Sequence, residues 1–407
     1  MKKIITLVGA TLLSVVSFAQ WHICTTANAT NCRSISFTDE NNGVVVGTDY
    51  VSGIGNVYRT TDGGVSWSLV QSGTEPYNDV YFQNANEGWM VADSGYIFQS
   101  GNAGQTWSAL TQLGTKNLNC VFFGTDSVGY VAGDNGVLYR TQNMGATWTA
   151  ETSGTLLSIN DIYFTDDVNG WIVGDGGYIA ATSDGGTTWT QLTQPLWGFM
   201  DVQGFAYTAN NTNAVSVGTF GDALFSTNSG MNWNSFSTGV STTLRKVAFA
   251  NDLAGVIVGD NGIILRTVDG GATWMRDSVS GVTENLTGIC WASDTLAYIC
   301  GANGRVLKST MDISAVNAPS VNPMNVAAFP NPCSEELNIA VDLENATNVQ
   351  IEITDVAGRI VLSENEGENF AGKNSFHVQG ISSLTTGMYF VRVITANGIG
   401  VMPIVKK

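Results

Sequence analysis

Positive charge and histidine are scarce in this chain: 17 lysines and arginines stand against 34 aspartates and glutamates, and His22 and His377 are the only two histidines. The formal charge of −17 removes the basic footprint that nucleic-acid binding needs, because neutralising phosphates takes a surplus of lysine and arginine. With two histidines and no C-x-x-C pair, the ligands of an ordinary zinc site are missing. No metal and no cofactor is expected. Beyond residue 18 no stretch reaches the eighteen or so apolar residues of a membrane helix, so the mature chain is expected to have no transmembrane span.

The first residues read differently. Lys2 and Lys3 precede an apolar run from Ile4 to Phe18, and Ser17-Phe18-Ala19 supplies a small-residue cleavage site before Gln20. That pattern predicts a secretory signal over residues 1–19. Export permits disulfides without requiring them. Among the six cysteines, Cys24 lies near Cys32, and Cys290 and Cys300 fall on strands expected to pair. Cys120 and Cys333 would then stay free.

With 47 glycines and 43% hydrophobic but only 13% charged residues, the remainder suits a turn-rich β protein. The box S/T-x-D/N-x-G-x-x-W recurs six times, ending on Trp67, Trp107, Trp148, Trp189, Trp233 and Trp274, at spacings of 40 to 44 residues. Such a period marks a repeat architecture. Between boxes the chain runs through three short strands, and the box tryptophan opens a fourth, as in Val80–Phe82, Gly88–Val91, Tyr96–Phe98 and Trp107–Leu110. Four strands make one propeller blade.

First strands occur seven times, one more than the boxes, because the last repeat, Thr287 to Ser309, stops before any box tryptophan. Trp21-His22-Ile23-Cys24-Thr25 is the candidate for its missing fourth strand. The expected fold is all-β: a seven-bladed β-propeller over residues 20–312, closed by the N-terminal strand so that no sheet edge is left open. The boxes are read as scaffold. Their hydroxyl and Asp or Asn side chains bond turn amides, glycine allows a positive φ, and the tryptophan packs beneath. Burying one tryptophan removes roughly 150–250 Å² from water, on the order of 4–6 kcal/mol before entropy is subtracted.

These boxes resemble the Asp-box or BNR-like repeats of sialidase-like propellers, and the Y-R-T-x-D/N-x-G-x-T-W form is similar to the photosystem II stability/assembly factor-like group. The resemblance covers roughly residues 20–312 and speaks for the fold; one propeller scaffold carries many unrelated functions. After a Pro- and Asn-containing linker (313–328), short strands over 329–407 predict a small C-terminal β-sandwich. Its landmarks, Phe329-Pro330-Asn331-Pro332, Asp355-Val356-Ala357-Gly358-Arg359, Leu384–Val391 and terminal Lys406-Lys407, resemble the type A sorting domain of the type IX secretion system. That implies the type IX secretion machinery as a partner, and a product that is secreted or attached to the outer cell surface.

A meander places the boxes on one face of the ring. The opposite face holds the second-to-third strand turns and the connections between blades. Two places before each first strand stand Arg33, Asn78, Asn119, Asn160, Gln203, Arg245 and Thr287, all hydrogen-bonding residues around one channel mouth. Closure would bring Arg33 and Arg245 beside blade seven, where Arg305 follows a turn. Three guanidinium groups meeting there would form an anion-accepting pocket; the alternative is that these residues solvate the mouth and cap strand ends. Asp93, Asp134, Asp175 and Asp260 sit in hairpin turns, too far apart to share one cation. The apolar insertion 195–200 either touches a ligand or packs on a neighbouring blade.

No catalytic residue is assigned. A sialidase-like glycoside hydrolase would need a tyrosine nucleophile paired with glutamate, and Glu75, Glu87, Glu151 and Glu284 form no such motif. The sequence therefore favours a non-catalytic propeller binding an unknown protein, peptide or glycan ligand, with a glycosidase or an envelope assembly factor as alternatives.

Overall fold

The computed structural model describes residues 20–26, 30–124, 127–192, 201–277, 279–310, 326–343, 345–355, 360–395 and 398–407. The expected signal (1–19), the insertion 195–200, the greater part of the linker and the turn at 356–359 lie outside them. The chain divides into two compact units, residues 1–313 and 314–407.

The first unit contains seven four-stranded antiparallel sheets. Their first strands are Thr30–Phe37, Tyr77–Phe82, Leu118–Phe123, Ile159–Phe164, Val202–Tyr207, Leu244–Phe249 and Leu286–Ser293. Each first strand touches the next around a complete circle, the seventh touching the first. In blade seven the order from outside in is Gln20–Thr25, Arg305–Thr310, Leu296–Gly301, Leu286–Ser293. Trp21 pairs with Ser309 and Thr25 with Arg305, so the N-terminal strand closes the ring.

The register explains why this strand suffices without a box. His22 pairs with Lys308 as Ser68 pairs with Arg59 in blade one, which puts Trp21 where the box puts Trp67. Trp21 is 8% exposed and packs with Val258, Leu286, Ile299 and Leu307. Its indole Nε1 donates to Asp277 Oδ2 at 3.3 Å.

The boxes are self-contained turns. Thr60 Oγ1 donates to Asp62 Oδ1 at 2.8 Å and accepts from Gly64 N at 2.9 Å, while Asp62 accepts from Ser66 N at 2.9 Å and Ser66 Oγ at 2.6 Å. Gly64 has φ 81°, a left-handed conformation that glycine adopts at no steric cost. These bonds hold Asp62, and its counterpart Asp184, at a pKa of about 2.

All six cysteines carry free thiols, which corrects the expected pairings. Cys290 lies opposite Tyr298, and Cys300 opposite Gly288, so the two are out of register. Cys24 and Cys32 belong to different sheets. Cys24, Cys32, Cys290 and Cys300 instead share the hydrophobic cluster between blades seven and one.

The second unit has a three-stranded sheet (Val326–Phe329, Leu337–Leu343, Gly372–Val378) and a four-stranded one (Ile360–Asn369, Thr347–Asp355, Gly387–Thr395, Gly398–Lys406). Alternate residues of both, including Leu337, Ile339, Ile351, Ile353, Val391 and Val393, enclose one core, the arrangement of a β-sandwich. Its first strand begins at Val326, ahead of the expected start at Phe329.

Candidate functional site: the channel mouth

Every first strand carries a β-bulge at the same place. The register slips between Cys32 and Ser34, Tyr77 and Asp79, Leu118 and Cys120, Ile159 and Asp161, Val202 and Gly204, Leu244 and Lys246, and Leu286 and Gly288. The extra residue in each is Arg33, Asn78, Asn119, Asn160, Gln203, Arg245 or Thr287. A bulge re-aims the side chain of its unpaired residue. Here it lets the preceding residue stay in the core between blades while the bulged one turns to the mouth. All seven line one cavity of about 440 Å³, together with Asn31, Cys32, Lys246, Asn285 and Ala302.

Most of this ring is engaged in holding blades together. Asn78 Nδ2 donates to Asp93 Oδ1 at 2.8 Å and to the Leu118 carbonyl of the next blade at 2.9 Å. Asn119 bonds Asp134 and the Ile159 carbonyl, both at 3.1 Å. Asn160 bonds Asp175 at 2.8 Å and the Val202 carbonyl at 2.9 Å. Thr287 Oγ1 donates to the Cys32 carbonyl at 2.6 Å, across the closing seam. The hairpin aspartates are thus acceptors for the ring, a pairing that their turn sequences alone did not reveal.

Blades one, five and seven lack that aspartate, having Thr48, Thr219 and Ala302 in its place. Gln203 makes no side-chain hydrogen bond among the described residues, and neither does Arg33, which is exposed. Arg245 is different: its Nε and Nη2 grip the two oxygens of Asp260, at 2.5 and 3.0 Å. Arg305 does not line the cavity and pairs with Glu284, which holds that glutamate below its ordinary pKa. The expected meeting of three guanidinium groups is corrected to one group unpaired among the described residues, Arg33, and one neutralised group, Arg245. Glu284, in the connection between blades six and seven, takes up the Arg305 guanidinium.

One residue further along each first strand a second layer faces into the channel, and the sequence reading passed over it. Lys246 of blade six extends to Asp161 of blade four, Nζ to Oδ2 2.8 Å. Blade five leaves it room at Gly204, where a Cβ would lie 2.8 Å from the Arg245 carbonyl oxygen and 2.9 Å from Lys246 Cα. Asp161 also accepts from Ile162 N and Phe205 N, each at 3.1 Å. Asp79 accepts from Ser34 Oγ at 2.6 Å and from Val80 N and Val121 N, both at 3.0 Å. Burial pushes the Asp79 carboxyl up, with Lys246 pulling the other way. Burial likewise disfavours the Lys246 ammonium, but Asp161 and Asp79 outweigh it and the net shift is upward. Lys246 was detectable in the sequence as the only lysine at its repeat position, opposite Asp79 and Asp161.

The sequence profile of the photosynthesis system II assembly factor YCF48 family matches residues 13–162, and that of the secretion system C-terminal sorting domain matches residues 327–407. No curated protein matches the chain. Among solved structures, YCF48 bound to D1 peptide superposes with a TM-score of 0.60 at 23% identity, over 72% of this chain and 97% of the other. YCF48 from Cyanidioschyzon merolae gives 0.59 at 22% identity, over 71% and 98%. Virginiamycin B lyase from Staphylococcus aureus gives 0.61 at 12% identity, over 72% and 100%. These likenesses show the fold; one scaffold serves an assembly factor and a lyase. Residues 13–162 thus match the photosystem II assembly factor YCF48 repeat family, and residues 327–407 match the secretion-system C-terminal sorting domains.

Proposed function

We propose that this protein is a non-catalytic propeller, exported through its type IX-like sorting domain to the cell surface or beyond, that binds a protein, peptide or glycan ligand at the channel mouth. The observation carrying this reading is Arg33. It is an exposed guanidinium on the rim of a 440 Å³ cavity, without a partner among the described residues, in a ring whose other arginine is neutralised by Asp260. A free planar donor fork suits a carboxylate. The solved YCF48 that holds a D1 peptide supports a peptide as one form of ligand for this fold.

A glycosidase reading finds less support. Glu75 accepts from Ser94 Oγ at 3.0 Å and Glu284 is paired with Arg305, and among the described residues no tyrosine hydroxyl bonds either carboxylate, as a nucleophile pair would require. The test is binding of acidic peptides and acidic glycans by wild type, Arg33→Ala and Arg33→Ala/Arg245→Ala, alongside a panel of fluorogenic glycosides. Loss of a genuine ligand with Arg33 supports the reading. Undiminished binding in both variants removes the mouth as the site, and turnover of any glycoside removes the non-catalytic assignment.

A further inference from the structure

The walls of the mouth are not of one sign. In blades two, three and four, Asn78, Asn119 and Asn160 each direct both amide hydrogens away to an aspartate and to a backbone carbonyl. Because both partners are acceptors, the orientation of each amide is determined, and the atom left over is its Oδ1. Asn78 is 8% exposed, and its Oδ1 has no donor. Behind these oxygens stand three carboxylates, Asp93, Asp134 and Asp175. Each is bonded to a neutral asparagine, and none has a cationic partner among the described residues. This arc is centred on blade three and offers acceptors and negative charge at its rim, while Lys246, which reaches it from blade six, is held by Asp161 in the layer below.

The opposite arc is centred on blade seven. Arg33 of blade one and Arg245 of blade six flank it, the first without a partner among the described residues and the second retaining Nη1, since Asp260 takes only Nε and Nη2. In a seven-membered ring the midpoint of blades six, seven and one lies across the channel from blades three and four.

We propose that the cavity selects a dipolar ligand of peptide chemistry: a carboxylate against Arg33, and an ammonium or other cationic donor against the arc of Asn78, Asn119 and Asn160. This rests on the mouth being the binding site and narrows what it accepts. A polyanion would place its second charge against the acceptor arc, where unpaired carboxylates repel it. A dipolar ligand satisfies both walls, and 440 Å³ suits a group of two or three residues.

The experiment is calorimetric titration of the full chain with capped tripeptides: acetyl-Lys-Gly-Glu-amide, its acid-only Gln-Gly-Glu counterpart and its base-only Lys-Gly-Gln counterpart, with uncapped Lys-Glu and polygalacturonate beside them. The dipolar probe is expected to bind about tenfold tighter than either singly charged one. Arg33→Gln should abolish the contribution of the acid. Asp134→Asn should abolish that of the base, retaining an acceptor for Asn119, with Asp175→Asn in another blade as a second variant and melting curves confirming that each is folded.

If the acid-only probe binds as tightly as the dipolar one while Arg33→Gln weakens both, the dipolar proposal is overturned and the mouth remains an anion site. If the probes bind without regard to Arg33 or the two aspartates, or do not bind at all, both readings fall. Uncapped Lys-Glu exceeding the capped probes identifies chain termini as the source of the charges; the reverse order identifies side chains within a longer segment. Polygalacturonate binding tightest overturns the proposal.

Discussion

Asn160 joins two blades with one amide group: one hydrogen reaches Asp175 Oδ1 within blade four and the other reaches the Val202 carbonyl of blade five. Gln203, in the same position one blade later, makes neither bond, and Thr219 stands in place of the aspartate. Asn160→Leu therefore leaves two acceptors unsatisfied, and stability should fall by about 2–3 kcal/mol. Gln203→Leu should change it by less than about 0.5 kcal/mol. Urea denaturation of both variants checks this, and equal effects would contradict the stitching role.

Closure by the N-terminal strand makes Trp21 a core residue. Trp21→Ala should cost about 3–5 kcal/mol. Removing residues 20–25 should free the edge of Arg305–Thr310 and promote association. Thermal melts and size-exclusion chromatography report the two effects. A Trp21→Ala variant within about 1 kcal/mol of wild type would mean that the seventh sheet does not need its fourth strand.

Phe220 occupies a turn with φ 62° and is 71% exposed, whereas the equivalent turns hold Ser94, Asn135, Gly176, Asn261 and Asn303. A left-handed conformation costs a residue with a bulky side chain roughly 1–2 kcal/mol, and exposure recovers none of it. Phe220→Asn should stabilise the protein by about 1 kcal/mol. A lower midpoint of urea unfolding would show instead that the ring is held by packing.

Acid should weaken the boxes over a narrow range. Asp62 and Asp184 have folded pKa values of about 2, below the 3.8 of a free aspartate, held there by hydrogen bonds from Ser66 and Thr60 and from Thr188 and Thr182. A depressed pKa means that the charged form is favoured in the folded state. This stabilisation is complete above about pH 4 and disappears as pH falls through 2. Asp62→Asn/Asp184→Asn should flatten the stability profile between pH 4 and pH 2. Asparagine already serves in the boxes of Asn102, Asn143 and Asn228, so the variant should fold, and urea melts at pH 5, 3 and 2 measure the difference. An unchanged slope would locate the acid sensitivity elsewhere.

The cross-channel pair of Lys246 and Asp161 is partly solvated, their side chains 27% and 13% exposed. Lys246→Met should cost about 3 kcal/mol, the lower end for breaking a buried pair, because Asp161 keeps its charge. Adding Asp161→Asn should restore part of that loss. If the double variant is no more stable than Lys246→Met, uncompensated charge is not the cause.

The repeat and the number of blades are legible in the residues themselves, because each box and its strands depend on neighbours along the chain; the closing strand is legible because the last repeat lacks a box tryptophan and Trp21 supplies one. Thr60, Asp62, Gly64 and Trp67 act within a single turn, and Trp21 repeats the position of Trp67 without needing the box. The ring of Arg33, Asn78, Asn119, Asn160, Gln203, Arg245 and Thr287 is also legible, since one bulge per blade sends the same position to the mouth. What those side chains do there is not. Whether an arginine is available or neutralised depends on which carboxylate lies within a few ångströms, and that is decided by how hairpins and neighbouring blades meet. Tertiary structure assigned Asp260 to Arg245, Glu284 to Arg305 and Asp161 to Lys246, and gave Arg33 no partner among the described residues, because charge compensation follows distance in space and not order along the chain.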